Sequence, residues 1–345
     1  MLSFRPTINW LLRLAGQTPP DVITAAVDRW EITPRETRRF PPAFVLPAHY
    51  DRIRGTEFAT LPETIHALRA DHDVQVPPTM GYLLRDADLV DGVIYANGAE
   101  RHLRQQRRSL AFRRPEVELS GALYETWVGN RWFGNWLVDN GITYPLAAAA
   151  GNPVTTAPPG KGHVPRYEEL LGMAPRRITD AHFRELILFD DMPQNTGKQA
   201  RAAAMRDMLL AGRNPAPVPG VFLLRGRTGD QRLLENEDEI AGRLQADHGF
   251  TIIDATQKTV DELMDACGNA RVIAGVEGSQ LVHGMAVSPP GSTLFTIQPP
   301  DRVTAAMKLM TDRLDQSFAL VVAEGNARNF RADWGDVART LELLR

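Results

Sequence analysis

The chain has 345 residues, of which 43% are hydrophobic and 23% are charged, and its formal net charge is −3. This length exceeds what one hydrophobic core usually supports, and the ordinary composition excludes long disorder, so two folded domains are expected. The slightly negative charge argues against a nucleic-acid partner. The single cysteine, Cys267, excludes an internal disulfide framework and favours a cytoplasmic location.

The first predicted element is an amphipathic helix within residues 1–16, where apolar side chains around Trp10 are interrupted by Asn9 and Arg13. The segment is too short and too polar for a secretory signal or for a membrane span of about 20 residues. Two interpretations stay open: the helix packs onto the body of the protein, or it makes a peripheral contact with a membrane surface.

The rest of the first half indicates a less regular α/β domain. Apolar runs predict strands at residues 92–96 and 186–189, and helical patterns cover residues 132–149 and 198–210. Prolines at alternate positions in residues 213–220 resist both helix and central strand, which predicts an extended linker. The predicted domains are therefore residues 1–212 and 213–325, followed by a helix in residues 326–345 that packs back near the interdomain seam.

After the linker, predicted strands alternate with predicted helices, which is typical of a doubly wound parallel sheet. The strands are expected at residues 221–224, 250–254, 272–274, 293–297 and 318–322, and the helices at residues 237–248, 260–268, 280–287 and 303–314. Ligands of such sheets bind at the carboxyl ends of the strands, so the loops that follow these strands are the expected site.

Two of these loops have the chemistry to bind phosphate. Residues 225–232 contain three arginines, and because guanidinium groups bind phosphate bidentately, Arg225 and Arg232 are candidate ligands. Residues 275–284 follow the strand at 272–274 and open a helix whose N-terminus would hold an anion. The candidates there are Gly278, Ser279, Gln280 and His283. Two alternatives stay open: the arginines of the first loop are solvated surface charges, and the glycines of the second loop serve only tight packing.

Neither loop has the G-x-G-x-x-G spacing of a dinucleotide site, which disfavours an oxidoreductase. Two D-x-D tripeptides, at residues 71–73 and 86–88, follow no clear buried strand, and the histidines lack zinc spacing. We therefore predict no metal ion and no other cofactor.

An aromatic and polar cluster lies in residues 127–139 of the first half. A helix there would place Asn135, Trp136 and Asp139 on one face. Tryptophan rings stack on sugars and amides bind hydroxyl groups, although core packing also explains clustered tryptophans. Farther along, Asp190 directly follows the strand at 186–189, and it either points into a cleft or caps the next helix. The candidate substrate ligands are Trp132, Asn135, Trp136 and Asp190.

Several segments occur in a characteristic order: Leu224-Arg225, Arg232-Leu233-Leu234 with Asn236-Glu237, Gly249-Phe250, residues 275–283, and Pro289-Pro290-Gly291-Ser292. This ordered set resembles the signature of glycosyltransferase family 61. Residues 133–139 are similar to the N-terminal motif of that family, which is usually written with Gly-His-Trp. The similarity spans about residues 125–300.

The resemblance implies an α/β fold of the GT-B type, with two Rossmann-like domains facing across a cleft. It also implies an inverting, metal-independent glycosyltransferase of surface polysaccharide synthesis, with a nucleotide-sugar donor in the C-terminal half and a glycan or other hydroxyl acceptor in the N-terminal half. The chain departs from the family at Asn135 and Glu277, where histidine is usual. Because asparagine cannot act as a base, an inactive member that binds nucleotide sugars or glycans is the alternative.

Glycosyl transfer places negative charge on the departing diphosphate and requires a base for the acceptor hydroxyl. We therefore expect Arg225 and Arg232 to bind the diphosphate. We expect Asp139 to be the catalytic base and Glu277 to bind the donor sugar, and the two carboxylates could exchange these roles.

Overall fold

The structure is a computed structural model that describes residues 2–105, 109–226 and 232–344. The chain forms two compact units. Unit 1 comprises Met1–Arg35 and Pro77–Arg201, and unit 2 comprises Glu36–Val76 and Ala202–Arg345. This division differs from the predicted one at residue 213, because an early segment of the chain folds with the C-terminal half.

The strands, in chain order, are β1 (Leu2–Ser3), β2 (Asp28–Thr33), β3 (Glu36–Arg39), β4 (Phe44–Val45), β5 (Asp73–Val76), β6 (Thr79–Val90), β7 (Val93–Ala96), β8 (Ala99–His102), β9 (Phe112–Arg113), β10 (Glu118–Leu123), β11 (Pro153–Thr155), β12 (Arg176–Arg177), β13 (Ala181–Asp190), β14 (Val221–Leu224), β15 (Leu233–Leu234), β16 (Thr251–Asp254), β17 (Val272–Val276), β18 (Thr293–Gln298), β19 (Ser317–Val322), β20 (Glu324–Gly325) and β21 (Asn329–Arg331).

The α-helices are α1 (Arg5–Leu14), α2 (Pro47–Arg52), α3 (Leu61–Arg69), α4 (Trp127–Arg131), α5 (Phe133–Asn135), α6 (Gly141–Ala150), α7 (Val164–Leu170), α8 (Thr196–Leu209), α9 (Glu237–His248), α10 (Val260–Cys267), α11 (Leu281–Met285), α12 (Ala306–Arg313) and α13 (Trp334–Glu342). A π-helical turn, Trp136–Asn140, joins α5 to α6. None of the helices in the described part of the chain is long and apolar enough to cross a membrane.

The main sheet of unit 1 is mixed. Its order is β12-β11-β10-β13-β6-β7-β8, with β2 also paired to β6. Strands β10 to β13 pair in parallel, whereas β13, β6, β7 and β8 pair antiparallel. Tight turns at Asp91-Gly92 and Asn97-Gly98, all with positive φ, connect the antiparallel hairpins. Half of this sheet therefore departs from the Rossmann-like pattern that was expected for the first domain.

The main sheet of unit 2 has the order β16-β14-β17-β18-β19-β4, and every pair in it is parallel. Numbered from β14 along the chain, the first five strands follow the order 2-1-3-4-5 of a doubly wound sheet, which confirms that prediction. The sixth strand, β4, comes from the early segment of the chain and pairs with β19. The carboxyl ends of β14 and β17 define the topological switch point, where such sheets bind ligands.

The C-terminal helix α13 packs on the sheet of unit 2. Its residues Val337 and Leu341 belong to the same buried apolar cluster as Phe222 of β14 and Phe295 of β18, and Trp334 packs against that cluster. The helix predicted in the tail is thus present as α13, and its apolar stripe faces the core of unit 2.

A buried histidine, His49 in α2, lies between β19 and α13. Its Nδ1 accepts the backbone N–H of Val322 at 3.1 Å, and its Nε2 lies 3.3 Å from the Asp336 carboxylate. Burial lowers the pKa of His49, despite the nearby Asp336. Burial also opposes ionisation of Asp336, but the hydrogen bond from Arg52 and the nearby imidazole hold its pKa below the usual value.

We expect acid to destabilise unit 2 through His49. Because its folded pKa is lowered, the unfolded state binds more protons below about pH 6.5, and the free energy of unfolding falls there by at most about 1.4 kcal/mol per pH unit. The side-chain amide of His49→Gln does not titrate in this pH range. Chemical denaturation between pH 5 and 8 should show a weaker pH dependence for this variant, and an unchanged dependence would contradict the assignment.

Candidate active site

The candidate donor site is at the switch point of unit 2. Arg225 directly follows β14, and residues 277–280 directly follow β17, so the two predicted phosphate loops meet at neighbouring strand ends. The guanidinium of the buried Arg225 donates to the backbone carbonyl of Glu277 at 3.2 Å and to Oε1 of Gln280 at 3.3 Å. The remainder of the first loop, residues 227–231 with Arg227, lies outside the described residues.

Gly278 is required by this contact. A Cβ atom added there would lie 1.8 Å from Nη1 of Arg225 and 2.5 Å from Oε1 of Gln280. Any larger residue at position 278 would therefore displace the guanidinium from the strand ends. Gln280 is fixed further because its amide donates to the backbone carbonyl of Val276 at 2.6 Å.

The carboxylate of Glu277 contacts two arginine side chains of unit 2. It is ion-paired with Arg232, and Nη1 of Arg302 lies 3.4 Å from its carboxylate. Arg302 also lies 3.5 Å from the carboxylate of Glu57. Arg302 follows β18, the next strand of the sheet, and Glu57 comes from the early segment of the chain. Three arginines thus contact the buried Glu277, Arg232 and Arg302 through its carboxylate and Arg225 through its backbone carbonyl.

Glu237 holds the start of the first loop. Its carboxylate accepts the backbone N–H groups of Arg225 at 2.9 Å and of Gly226 at 3.1 Å. Burial raises the pKa of Glu237, although these two hydrogen bonds oppose the shift. In the sequence, Glu237 belongs to a family motif and to a predicted helix start, which indicated no further role, whereas in the structure it positions Arg225.

The other predicted residues of the second loop lie in or beside the short helix α11. His283 is buried within it, and Ser279 is half-buried just before it. Because α11 has only five residues, its N-terminus contributes little to anion binding compared with the arginines.

In unit 1, the predicted base Asp139 is part of a buried ion pair. Its carboxylate is 2% exposed, lies 3.2 Å from Nζ of the fully buried Lys198, and accepts the amide of Asn135 at 2.8 Å. Asp139 and Asn135 share a helix face, as predicted, on the π-helical turn and the residue before it. Because a buried ammonium stabilises the charged form of its carboxylate, this ion pair favours a structural role for Asp139 over proton abstraction.

The two tryptophans proposed as sugar ligands differ in environment. Trp136 is buried and contacts Phe133 in a stacked arrangement, with ring centroids 6.0 Å apart. Trp132 is only half-buried, and the guanidinium of Arg131 lies 4.7 Å from its ring centroid and 4.9 Å from that of Trp127. Core packing therefore explains Trp136, whereas Trp127 and Trp132 present ring surface to solvent.

The carboxyl ends of the parallel strands in unit 1 carry a second group of polar side chains. Leu123 of β10 is in register with Leu188 of β13, so Glu125 and Asp190 follow at the same level. Glu125 is buried and accepts the backbone N–H of Thr156 at 3.0 Å. Asp190 is half-buried at the end of β13.

The next residue, Asp191, lies in a network of hydrogen bonds. It is buried and accepts hydroxyl hydrogen bonds from Thr79 and Thr143, both at 2.8 Å, and pairs with Arg201. Asp190 is therefore the more accessible carboxylate of this dipeptide.

A concavity of about 800 Å³ lies on unit 1. Arg104 spans its wall, donating to the hydroxyl of Thr156 at 2.7 Å and to Oδ1 of Asn130 at 3.0 Å. The concavity was not predicted from the sequence, because its walls come from β8, the following loop and α4. Its lining residues are His102, Leu103, Arg104, Gln105, Trp127, Asn130 and Arg131.

Within residues 2–105, 109–226 and 232–344, no group of three or more histidine, cysteine, aspartate or glutamate side chains is placed to hold a metal ion. The positive groups at the unit 2 switch point are arginines. Fold and site together define an α/β protein with a cluster of arginines at the carboxyl edge of a doubly wound sheet.

Comparison with protein families shows the family to which the chain belongs. The family described as Glycosyltransferase 61 matches residues 40–295, which is more than half of the chain. The chain therefore belongs to glycosyltransferase family 61, and this membership implies glycosyltransferase activity. No match is found among curated proteins. The family match begins in the early segment that folds with unit 2.

Proposed function

We propose that the protein transfers a sugar from a nucleotide-sugar donor to a glycan acceptor, with inversion at the anomeric carbon and without a metal ion. The observation that carries the donor assignment is the convergence of Arg225, Arg232 and Arg302 at the switch point of unit 2. Guanidinium groups in a partly dehydrated site bind a diphosphate and stabilise the charge that develops when it leaves.

In this proposal Glu277 orients Arg232 and Arg302, and its carboxylate accepts a hydrogen bond from a hydroxyl group of the donor sugar. Its ion pairs supply a physical reason: the carboxylate already neutralises part of the positive charge and fixes both side chains before the donor binds. Ser279, Gln280 and His283 complete the nucleotide side of the site. The bound diphosphate neutralises the positive charge of the arginines that Glu277 leaves uncompensated.

Unit 1 is proposed to bind the acceptor at the carboxyl ends of β10, β11 and β13. The concavity beside Trp127 offers aromatic rings, an asparagine and arginines to a glycan. Trp132 flanks these rings. Because Asp139 is held in an ion pair, we propose the half-buried Asp190 as the base that deprotonates the acceptor hydroxyl.

The function is tested by offering the protein a panel of nucleotide sugars in buffer that contains a chelator. We expect one donor to raise the melting temperature, since a ligand at 100 times its Kd stabilises by about 2.7 kcal/mol, and we expect release of its nucleoside diphosphate with a glycan acceptor. Activity that is lost in the chelator and restored by Mg²⁺ or Mn²⁺ would contradict metal independence.

The departure from histidine at Asn135 favours one alternative, a family member that binds nucleotide sugars without transferring the sugar. The Asn135 amide donates to Asp139 and so contributes to a structural network. Stabilisation by a nucleotide sugar, combined with no transfer or hydrolysis across the acceptor panel, would establish this alternative. A surface polysaccharide as the acceptor is proposed from the family resemblance, and the acceptor panel tests it directly.

A further inference from the structure

Helix α1 attaches to unit 1 with its polar side inward. Pro6 and Asn9 are buried, whereas four apolar side chains on the opposite side are between 45% and 66% exposed. At 100° per residue these four lie on one face, and Pro6, Asn9 and Arg13 lie on the other. The exposed residues are Phe4, Ile8, Leu11 and Leu14.

A buried carboxylate fixes this orientation. Glu100 accepts the amide of Asn9 at 2.5 Å and is ion-paired with Arg13. Turning the helix would separate the buried Glu100 carboxylate from both Asn9 and Arg13, so the apolar face cannot turn inward at low cost. The outward apolar face is therefore part of the folded state of unit 1.

Neighbouring side chains extend this face and give it positive charge. Leu2 and Leu110 are more than half exposed, and Thr7 of α1 donates to the backbone carbonyl of Leu110. Trp10 flanks the apolar face on one side and Arg5 on the other, and Arg113 pairs with Leu2 in the sheet formed by β1 and β9. Apolar residues bordered by tryptophan and arginine are typical of helices that lie in a membrane interface.

We propose that this face of α1 binds the surface of a bilayer that contains anionic phospholipid. The apolar side chains enter the boundary between headgroups and acyl chains, while Arg5 and Arg113 contact lipid phosphates. Glu100 also lies 3.0 Å from Nε2 of His102, which lines the concavity of unit 1. Binding of α1 would thus hold the proposed acceptor site at the membrane surface.

The test is flotation of the full chain with vesicles of phosphatidylcholine alone or mixed with phosphatidylglycerol. We expect binding to the mixed vesicles, weakened by salt, and a loss of about tenfold or more in partitioning for Ile8→Asp/Leu11→Asp. Arg5→Gln/Arg113→Gln should weaken binding to the mixed vesicles selectively. Leu309→Asp, which changes a 45% exposed leucine of unit 2, is the matched control and should bind as the parent does.

Circular dichroism and thermal unfolding should be the same for all these variants, since the changed side chains are exposed. Failure of the parent to float, or equal flotation of Ile8→Asp/Leu11→Asp, would overturn the proposal. A dimer in lipid-free solution that this variant dissociates would also overturn it, because the face would then be an interface between two copies. Transfer to a soluble acceptor should be unchanged in every variant, which separates this test from that of the proposed function.

Discussion

Asp139→Asn is expected to lower the free energy of unfolding by about 3–5 kcal/mol, because it removes the carboxylate that pairs with the buried ammonium of Lys198. Lys198→Met should lower the free energy of unfolding by a similar amount, because it removes the ammonium that pairs with the buried carboxylate of Asp139. The double variant Asp139→Asn/Lys198→Met removes both charges and should recover most of the loss. Chemical denaturation of the four proteins measures the coupling between the two residues.

The double variant also separates a structural role of Asp139 from a catalytic one. If Asp139 acts only through Lys198, the folded double variant should retain transfer near the parental rate. A folded double variant whose kcat is lower by about 10²–10⁴ would instead restore Asp139 as the base. A loss of stability below about 1 kcal/mol in both single variants would contradict the buried ion pair itself.

Asp190→Asn is expected to reduce kcat by about 10²–10⁴ with donor affinity unchanged, because asparagine keeps the size of the side chain but cannot accept a proton. Asp180, the exposed residue before the opposite end of β13, provides the control Asp180→Asn. Steady-state kinetics with a saturating donor should show parental kcat for this control. If Asp190→Asn also keeps parental kcat, Glu277→Gln becomes the variant to examine for loss of the base.

The doubly wound sheet could be predicted because its signals are local. Strand β14 and helix α9 have the predicted bounds, since apolar runs and helical periodicity are read over a few residues. The hairpins of unit 1 also have local turn signals, Asp91-Gly92 and Asn97-Gly98, although these hairpins were not among the predicted elements.

Contacts between residues distant in the sequence could not be predicted in this way. Strand β4 pairs with β19 more than 270 residues later, and no local pattern in residues 36–76 indicates that partner. Lys198 lies 59 residues from Asp139, so no local pattern indicates that this candidate base has an ion-pair partner in the fold. Arg302 joins the donor site only because β18 is next to β17.

Donor binding in the proposed function depends on the arginines at the switch point of unit 2, which are expected to bind the diphosphate. Calorimetric titration of the nucleoside diphosphate of the best donor into Arg225→Gln and Arg232→Gln tests it most directly. Arg331→Gln, an exposed arginine paired with Glu239 in the same unit, serves as control. We predict Kd values raised by roughly 10- to 150-fold in the first two variants, the loss of about 1.5–3 kcal/mol expected for a hydrogen bond to a charged group. Folded variants of Arg225 and Arg232 that bind the diphosphate as tightly as the parent and the control would contradict this expectation.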